Sequence, residues 1–227
     1  GANWTTLTGG STNPPANVRS IVPYTLTQGT TTRSGILVGS DGGLFFYDTT
    51  AQTWESFNGN LANALANSVG ITASLPNRLF AGTQGSAFST TNGTQEWDSV
   101  LGTSALTYGG QVRVNNGNSN IVYASLSNGP IANPGPGRIP SWQMYRSTDA
   151  GVTWTALNLL NSSPPTFSGL SGVFTLDSIN PDRVLISTSI GVLESLDGLA
   201  TNPTQLFGVG GTAIASATYQ GAYRFDP

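Results

Sequence analysis

The sequence has 227 residues, of which 8% are charged, and it carries a net charge of −3 with no cysteine and no histidine. Without thiols or imidazoles, Cys–His and Ser–His–Asp catalysis and Cys/His metal sites are excluded. The eight basic residues are all arginines, scattered singly, and the apolar runs fall far short of the ~20 residues that a membrane span needs. We therefore expect no metal, no cofactor, no nucleic-acid partner and no membrane insertion.

Five short apolar runs recur along the chain, and each ends at or near a glycine. Each is rich in β-branched and aromatic residues, which predicts a strand. The runs begin at Ile36, Leu79, Val122, Val184 and Ile214. Their average spacing of about 45 residues is typical of one four-stranded propeller blade per repeat.

A second short strand follows each run and ends in a turn that opens on Asp or Asn. The opening residues are Asp48, Asn92, Asp149, Asp197 and Asp226. Trp54, Trp97 and Trp154 follow three of these turns, where the next strand is expected to begin, and the fourth copy lacks its Trp. Between the fourth and fifth runs there is room for one strand, Thr204 to Val209.

The turn with the fullest pattern runs from Ser147 to Trp154. Here Asp149 can accept backbone N–H groups across the bend, Gly151 can adopt a positive φ, and Trp154 can cover the hairpin. These residue types indicate that the segment stabilises the turn and has no catalytic role.

The two termini read as one further copy of the unit. The last copy stops at Asp226-Pro227, and Trp4 near the start stands where Trp154 stands in the full copy. We predict an all-β propeller of four-stranded antiparallel blades, with five blades and with N- and C-terminal strands that close one blade. The chain is interpreted as one domain, 1–227, and a piece of a longer propeller protein is the alternative.

The segment Ser147 to Trp154 resembles the Asp-box, or BNR, repeat of sialidase-like and xyloglucanase-like β-propellers. The resemblance implies that the Asp-box turns lie at one rim, and that the turns between second and third strands form the ligand face at the other. Together with low charge and many Ser, Thr and Asn residues, it implies an extracellular or cell-surface location.

Asp41, in the turn Ser40-Asp41-Gly42-Gly43, is the one acid expected on that ligand face. The surrounding stretch resembles the segment around a catalytic Asp in xyloglucan-cleaving propellers, which implies a catalytic role for Asp41, and Gly42-Gly43 would let a substrate approach the backbone. Glycoside hydrolysis requires two facing carboxyl groups. The chain offers one, so the second would have to come from another propeller.

The other candidate ligand-binding residues lie in or near the same set of turns. A proline-rich insertion, 128–141, presents Arg138 and places Trp142 where it could stack on a sugar or fill a partner's pocket. The full set of candidates is Arg138, Trp142, Tyr219, Gln220, Gln84 and Asn128.

Three functions fit these observations. The first is a secreted, non-catalytic module that binds glycan or protein on its ligand face. The second is a xyloglucanase-like glycoside hydrolase domain or fragment that contributes Asp41, and the third is a structural module of an extracellular assembly. Sequence does not decide the oligomeric state, because fold does not fix function.

Overall fold

The computed structural model describes positions 3, 6, 7, 9, 13 and 14 and residues 17–28, 30–61, 65–72, 78–83, 87–91, 96–101, 110–127, 142–157, 170–188, 191–201 and 203–207. These residues form β-strands and one short 3-10 helix, Gly59–Leu61. The strands pair in antiparallel fashion, each with its neighbour in sequence, and they build four separate four-stranded sheets.

The strands of the four sheets follow one another without a crossover. The first sheet has β1 (Val18–Gln28), β2 (Thr31–Ser40), β3 (Gly43–Asp48) and β4 (Thr53–Ser56). The second has β5 (Ser68–Ile71), β6 (Arg78–Gly82), β7 (Ala87–Thr91) and β8 (Asp98–Leu101). The third has β9 (Gln111–Val114), β10 (Val122–Ser127), β11 (Trp142–Ser147) and β12 (Thr155–Leu157). The fourth has β13 (Leu170–Leu176), β14 (Val184–Thr188), β15 (Gly191–Ser195) and β16 (Thr204–Phe207).

The predicted all-β class and its four-stranded antiparallel sheets are confirmed. Four of the five apolar runs fall on the second strands β2, β6, β10 and β14, and the predicted strand from Thr204 coincides with β16. The fifth run, from Ile214, lies outside the described residues, as do Trp4 and Asp226, so the predicted closure of a fifth blade stays a prediction.

The first strands of consecutive sheets contact one another, β1 with β5, β5 with β9 and β9 with β13. Backbone hydrogen bonds join equivalent ends of neighbouring sheets: the N–H of Ala66 donates to the carbonyl of Ser40 (3.0 Å), and that of Gly110 donates to Thr83 (2.5 Å). The four sheets therefore stand side by side with matching ends aligned.

The core lies between the sheets. Alternate residues of one strand face opposite neighbours, because side chains alternate across a strand. In β6, Leu79 and Ala81 pack in the cluster shared with the first sheet, while Phe80 packs in the cluster shared with the third. Tyr123 and Phe174 occupy the equivalent cluster between the third and fourth sheets. Burying one such side chain contributes about 1.5–3 kcal/mol.

The outward faces of the first and fourth sheets also carry buried apolar side chains. In the first sheet, Val38 lies opposite Phe45, and both are buried in a separate cluster with Trp54. In the fourth sheet, Leu185 and Val192 are 7% and 1% exposed. Neither outward face is a solvated polar surface.

Candidate functional site

The alternating turns divide each sheet into two ends. We call the end that holds the second-to-third strand turns the upper end, and the end that holds the first-to-second and third-to-fourth strand turns the lower end. The chain has eleven acids, and all except Asp226 are described. Of these, Asp41 alone lies in an upper-end turn; the others lie in or beside lower-end turns or, like Glu55 and Glu194, inside strands.

The lower-end turn from Ser147 to Trp154 is held by its own side chains. The carboxylate of Asp149 accepts the backbone N–H of Thr153 at 2.8 Å and the Thr153 hydroxyl at 2.6 Å. The hydroxyl of Ser147 donates to Asp149 (2.7 Å) and accepts the N–H of Gly151 (2.8 Å). Gly151 has a φ of 80°, as its place in the turn predicts.

The same arrangement recurs in the fourth sheet. Ser195 donates to Asp197 at 2.9 Å, the N–H of Leu199 donates to Ser195 at 2.8 Å, and the Thr201 hydroxyl donates to Asp197 at 2.5 Å. In the first sheet, Asp48 accepts the N–H groups of residues 50 and 51. These three carboxylates therefore accept hydrogen bonds from donors of the turns that contain them.

The three tryptophans that follow such turns are anchored differently. Trp154 donates its indole N–H to Gly151 within its own turn at 3.1 Å and packs edge-on against Phe80. Trp97 donates to Phe57 at 3.0 Å, and Trp54 donates to Leu7 at 3.2 Å. Each indole therefore joins its hairpin to another part of the fold.

These hydrogen bonds make the lower-end turns sensitive to acid. They lower the pKa of Asp149 to about 2 from its ordinary value of 3.8, the Thr153 hydroxyl being the largest contributor. Because the folded pKa is depressed, the carboxylate stabilises the fold fully above pH ~4, and this stabilisation is lost as the pH falls toward 2.

We expect Asp149→Asn to lose about 1 kcal/mol of unfolding free energy at pH 7, and the gap to the wild type to close between pH 4 and 2. Denaturant unfolding at a series of pH values measures this difference. Asp98→Asn, at an exposed position at the start of β8, is the control and should show no such convergence. A gap that stayed constant down to pH 2 would contradict the assignment.

Asp41 is engaged by two neighbours at the upper end. Nε of Arg19 lies 2.5 Å from its Oδ1, and Nδ2 of Asn17 donates to its Oδ2 at 2.7 Å. The hydrogen bonds from Arg19 and Asn17 hold the pKa of Asp41 below its usual range. A general acid needs a raised pKa so that it holds its proton near neutral pH. Asp41, whose pKa is lowered, is instead suited to roles in which it stays ionised.

The glycines beside Asp41 do not leave the backbone open. A Cβ on Gly43, which has a φ of 105°, would lie 2.0 Å from Oδ1 of Asn58. That oxygen accepts the N–H of Leu44 (2.7 Å), and Nδ2 of Asn58 donates to the carbonyl of Gly42 (2.9 Å). The close approach that we expected a substrate to make at Gly43 is made by Asn58.

The remaining candidate residues are described in part. Trp142 is the first residue of β11, opposite Ser127 at the upper end of the third sheet. The rest of the predicted ligand-binding set lies outside the described residues, and so does Asn92; this set is Arg138, Tyr219, Gln220, Gln84 and Asn128.

A central cavity of about 430 Å³ was not anticipated from the sequence. It is lined by residues on or next to the first strands of all four sheets, and it extends to first-to-second strand turns at the lower end. Among the described residues that line it, Arg113 is the one that carries a charge. In the sequence Arg113 looks like any other isolated arginine, and only its position on a first strand could have distinguished it.

No group of three or more His, Cys, Asp or Glu side chains in the part of the chain that the structure describes is placed to hold a metal ion. No helix in that part of the chain is long and apolar enough to cross a membrane.

Solved structures with a similar arrangement of sheets include GH74 enzymes. The enzyme from Niastella koreensis aligns with 89% of this chain at a TM-score of 0.62 and 18% identity, and the GH74 xyloglucanase from Xanthomonas campestris aligns with 81% at 0.56 and 17%. The fold is propeller-like. An extracellular domain from B. thetaiotaomicron aligns with 89% of the chain at a TM-score of 0.52 and 14% identity.

This likeness concerns the fold alone. The chain spans 33% of the length of the Niastella enzyme, 28% of the Xanthomonas enzyme and 24% of the B. thetaiotaomicron domain. No protein-family model and no curated protein sequence matches it.

Proposed function

We propose that this chain is a non-catalytic extracellular module that binds glycan or protein through its upper end. The observation that carries the proposal is the state of Asp41. Glycoside hydrolysis requires two carboxyl groups about 5–10 Å apart. Asp41 is the one described acid in an upper-end turn, both of its oxygens are engaged, and no described carboxylate contributes to its pKa.

The proposed binding surface is centred on the connection between β10 and β11. Strands β10 and β11 are paired over six residues, and Trp142, the first residue of β11, lies opposite Ser127 at the upper end of the third sheet. A rigid sheet that carries a long loop is a common platform for recognition. Arg138 in the connection, with Gln84, Asn128, Tyr219 and Gln220, completes the proposed set.

A glycan is the ligand that we test first. Aromatic and planar polar side chains in the proposed set suit the apolar faces and hydroxyl groups of sugars. The propeller-like fold shared with GH74 enzymes and with an extracellular domain supports this choice and the extracellular location.

We expect Trp142→Ala to weaken binding to a responsive polysaccharide at least tenfold, because a central tryptophan typically contributes 2 kcal/mol or more. Affinity electrophoresis and calorimetry on xyloglucan and mixed-linkage β-glucan measure the effect. Trp154→Phe, which changes an indole at the lower end of the same sheet, is the matched control and should bind as the wild type does. Equal affinity in Trp142→Ala and wild type would reject the proposed surface.

A glycoside hydrolase fragment is the second candidate. It is favoured by the ionised state of Asp41, which a nucleophile or base requires, and by the short share of the GH74 enzymes that the chain spans. In that case the second carboxylate comes from another domain. A structural role in an extracellular assembly is supported by low charge alone, and ordered self-association without a ligand would favour it.

We further propose that the lower-end turns are Asp-box repeats and that a fifth sheet closes the propeller. The recurring Ser–Asp–Thr hydrogen bonds in two turns support the first statement. The buried outward faces of the first and fourth sheets support the second, because such faces require a cover.

Closure predicts that the chain termini are close together in the folded protein. Because the chain has no cysteine, dyes can be attached specifically at Ala2→Cys and Pro227→Cys. We expect high energy transfer between them that is lost on unfolding in denaturant. Transfer as low in the folded state as in the unfolded state would exclude closure by the two ends.

A further inference from the structure

The central cavity lies between the first strands of the four sheets. Val22 of β1, Val69 of β5, Val114 of β9 and Leu176 of β13 line it, and its wall is partly apolar and partly polar. A volume of about 430 Å³ lies within the ~300–1,000 Å³ of typical small-molecule pockets, which combine an apolar lining with a few polar groups.

Arg113 brings an uncompensated positive charge to this cavity. Five of the six described arginines have a hydrogen-bond or ion-pair partner: Arg19, Arg33, Arg78, Arg146 and Arg183. Arg113 has none among the described residues, although surrounding protein lowers its pKa. The residue is nevertheless exposed to solvent. Its guanidinium stays protonated, and because it has no described ion-pair partner it is available to pair with an anion.

Polar groups at the lower end of the cavity add further donors. Asn116 and Ser178 line it there, and neither side chain has a partner among the described residues. None of the described lining residues carries a carboxylate. The arrangement is one positive charge and two polar side chains without a described partner, next to several apolar side chains.

We propose that this cavity binds a small organic carboxylate, whose two oxygens pair with the Arg113 guanidinium while an apolar body contacts the valines and Leu176. The planar guanidinium matches a carboxylate through two parallel hydrogen bonds. The apolar side chains of the lining favour an organic acid over an inorganic anion, because an inorganic anion has no apolar surface to bury against them. The lining of this site reaches the lower end of the sheets, whereas the surface proposed for glycan or protein lies at the upper end.

Benzoate and its uncharged counterpart benzamide are suitable probes, used with the full chain in ligand-detected NMR and calorimetry. We expect benzoate to bind at least tenfold more tightly than benzamide or inorganic phosphate. Arg113→Gln should weaken benzoate at least tenfold, whereas Arg19→Gln, the same charge change at the opposite end, should leave benzoate binding unaltered.

A second variant keeps the charge and fills the space. Ser178 is exposed at the cavity wall, so Ser178→Trp should fold and should block benzoate binding while Arg113 is retained. Three results would overturn the proposal: no benzoate binding at millimolar concentration, equal affinity in wild type and folded Arg113→Gln or Ser178→Trp, or phosphate binding as tight as benzoate. Polysaccharide binding is scored separately, so the two proposals can fail independently.

Discussion

Phe80→Ala is expected to lower the free energy of unfolding by about 3–5 kcal/mol, the usual cost of removing a fully buried phenylalanine. Phe80 is 0% exposed and lies between the second and third sheets. Its ring meets that of Trp154 edge-on at a centroid distance of 6.3 Å. The substitution therefore opens a cavity in the interface that joins two sheets and removes an aromatic contact.

Denaturant unfolding followed by tryptophan fluorescence and circular dichroism measures this loss. Val152→Ala is the matched control, because Val152 belongs to the adjoining turn but is 65% exposed, and we expect a change within about 0.5 kcal/mol. A loss below 1 kcal/mol for Phe80→Ala would mean that the two sheets do not pack as described.

Gly151→Ala is expected to cost about 2–4 kcal/mol, for two separate reasons. Its φ of 80° is strained for any residue with a Cβ. An added Cβ would also lie 2.5 Å from Cε1 and Cζ of the Phe80 ring, so the ring must move out of a well-packed site. The glycine thus serves both the turn and the contact between sheets.

A double-mutant cycle separates the two reasons. In the Phe80→Ala background the steric conflict disappears and the backbone cost remains, so Gly151→Ala should then cost only about 1 kcal/mol. The free energies of unfolding of the two single variants and the double variant give the coupling. Strict additivity of the two substitutions would show that the Phe80 ring does not lie against Gly151.

Repetition made the second and third strands predictable. A short apolar run, a glycine and an Asp-opened turn are local features, and four of the five copies fall on β2, β6, β10 and β14. The structural role of Asp149 could be read from residue types, because a turn carboxylate bonds to its own neighbours in sequence. Its partners Ser147 and Thr153 are predictable for the same reason, because both lie within the same turn as Asp149.

The first strands could not be recognised in this way. These strands share no sequence motif, although their ends follow the same spacing as the apolar runs; they are Val18–Gln28, Ser68–Ile71, Gln111–Val114 and Leu170–Leu176. Their common property is that they lie innermost, which arises only when the sheets assemble. Sequence features therefore do not distinguish Arg113 from the other arginines, and they favour ligand residues in the upper-end turns instead.

The partners of Asp41 could not be predicted from the sequence for a related reason. Arg19 is 22 residues away in sequence, and it reaches Asp41 because the register of β1 and β2 sets Val18 opposite Ser40. Asn58 similarly comes from beyond β4 to occupy the approach to Gly43. Such contacts follow from strand register and not from the composition of either segment.

Binding without cleavage is tested most directly by following both events in one sample. The protein is incubated with the polysaccharides named above, and bound fraction and chain length are measured together for wild type and Asp41→Asn. We expect saturable binding, unchanged chain length, and the same behaviour in Asp41→Asn. Shortening of the polysaccharide by the wild type that is lost in Asp41→Asn would contradict the non-catalytic assignment and make Asp41 a catalytic residue.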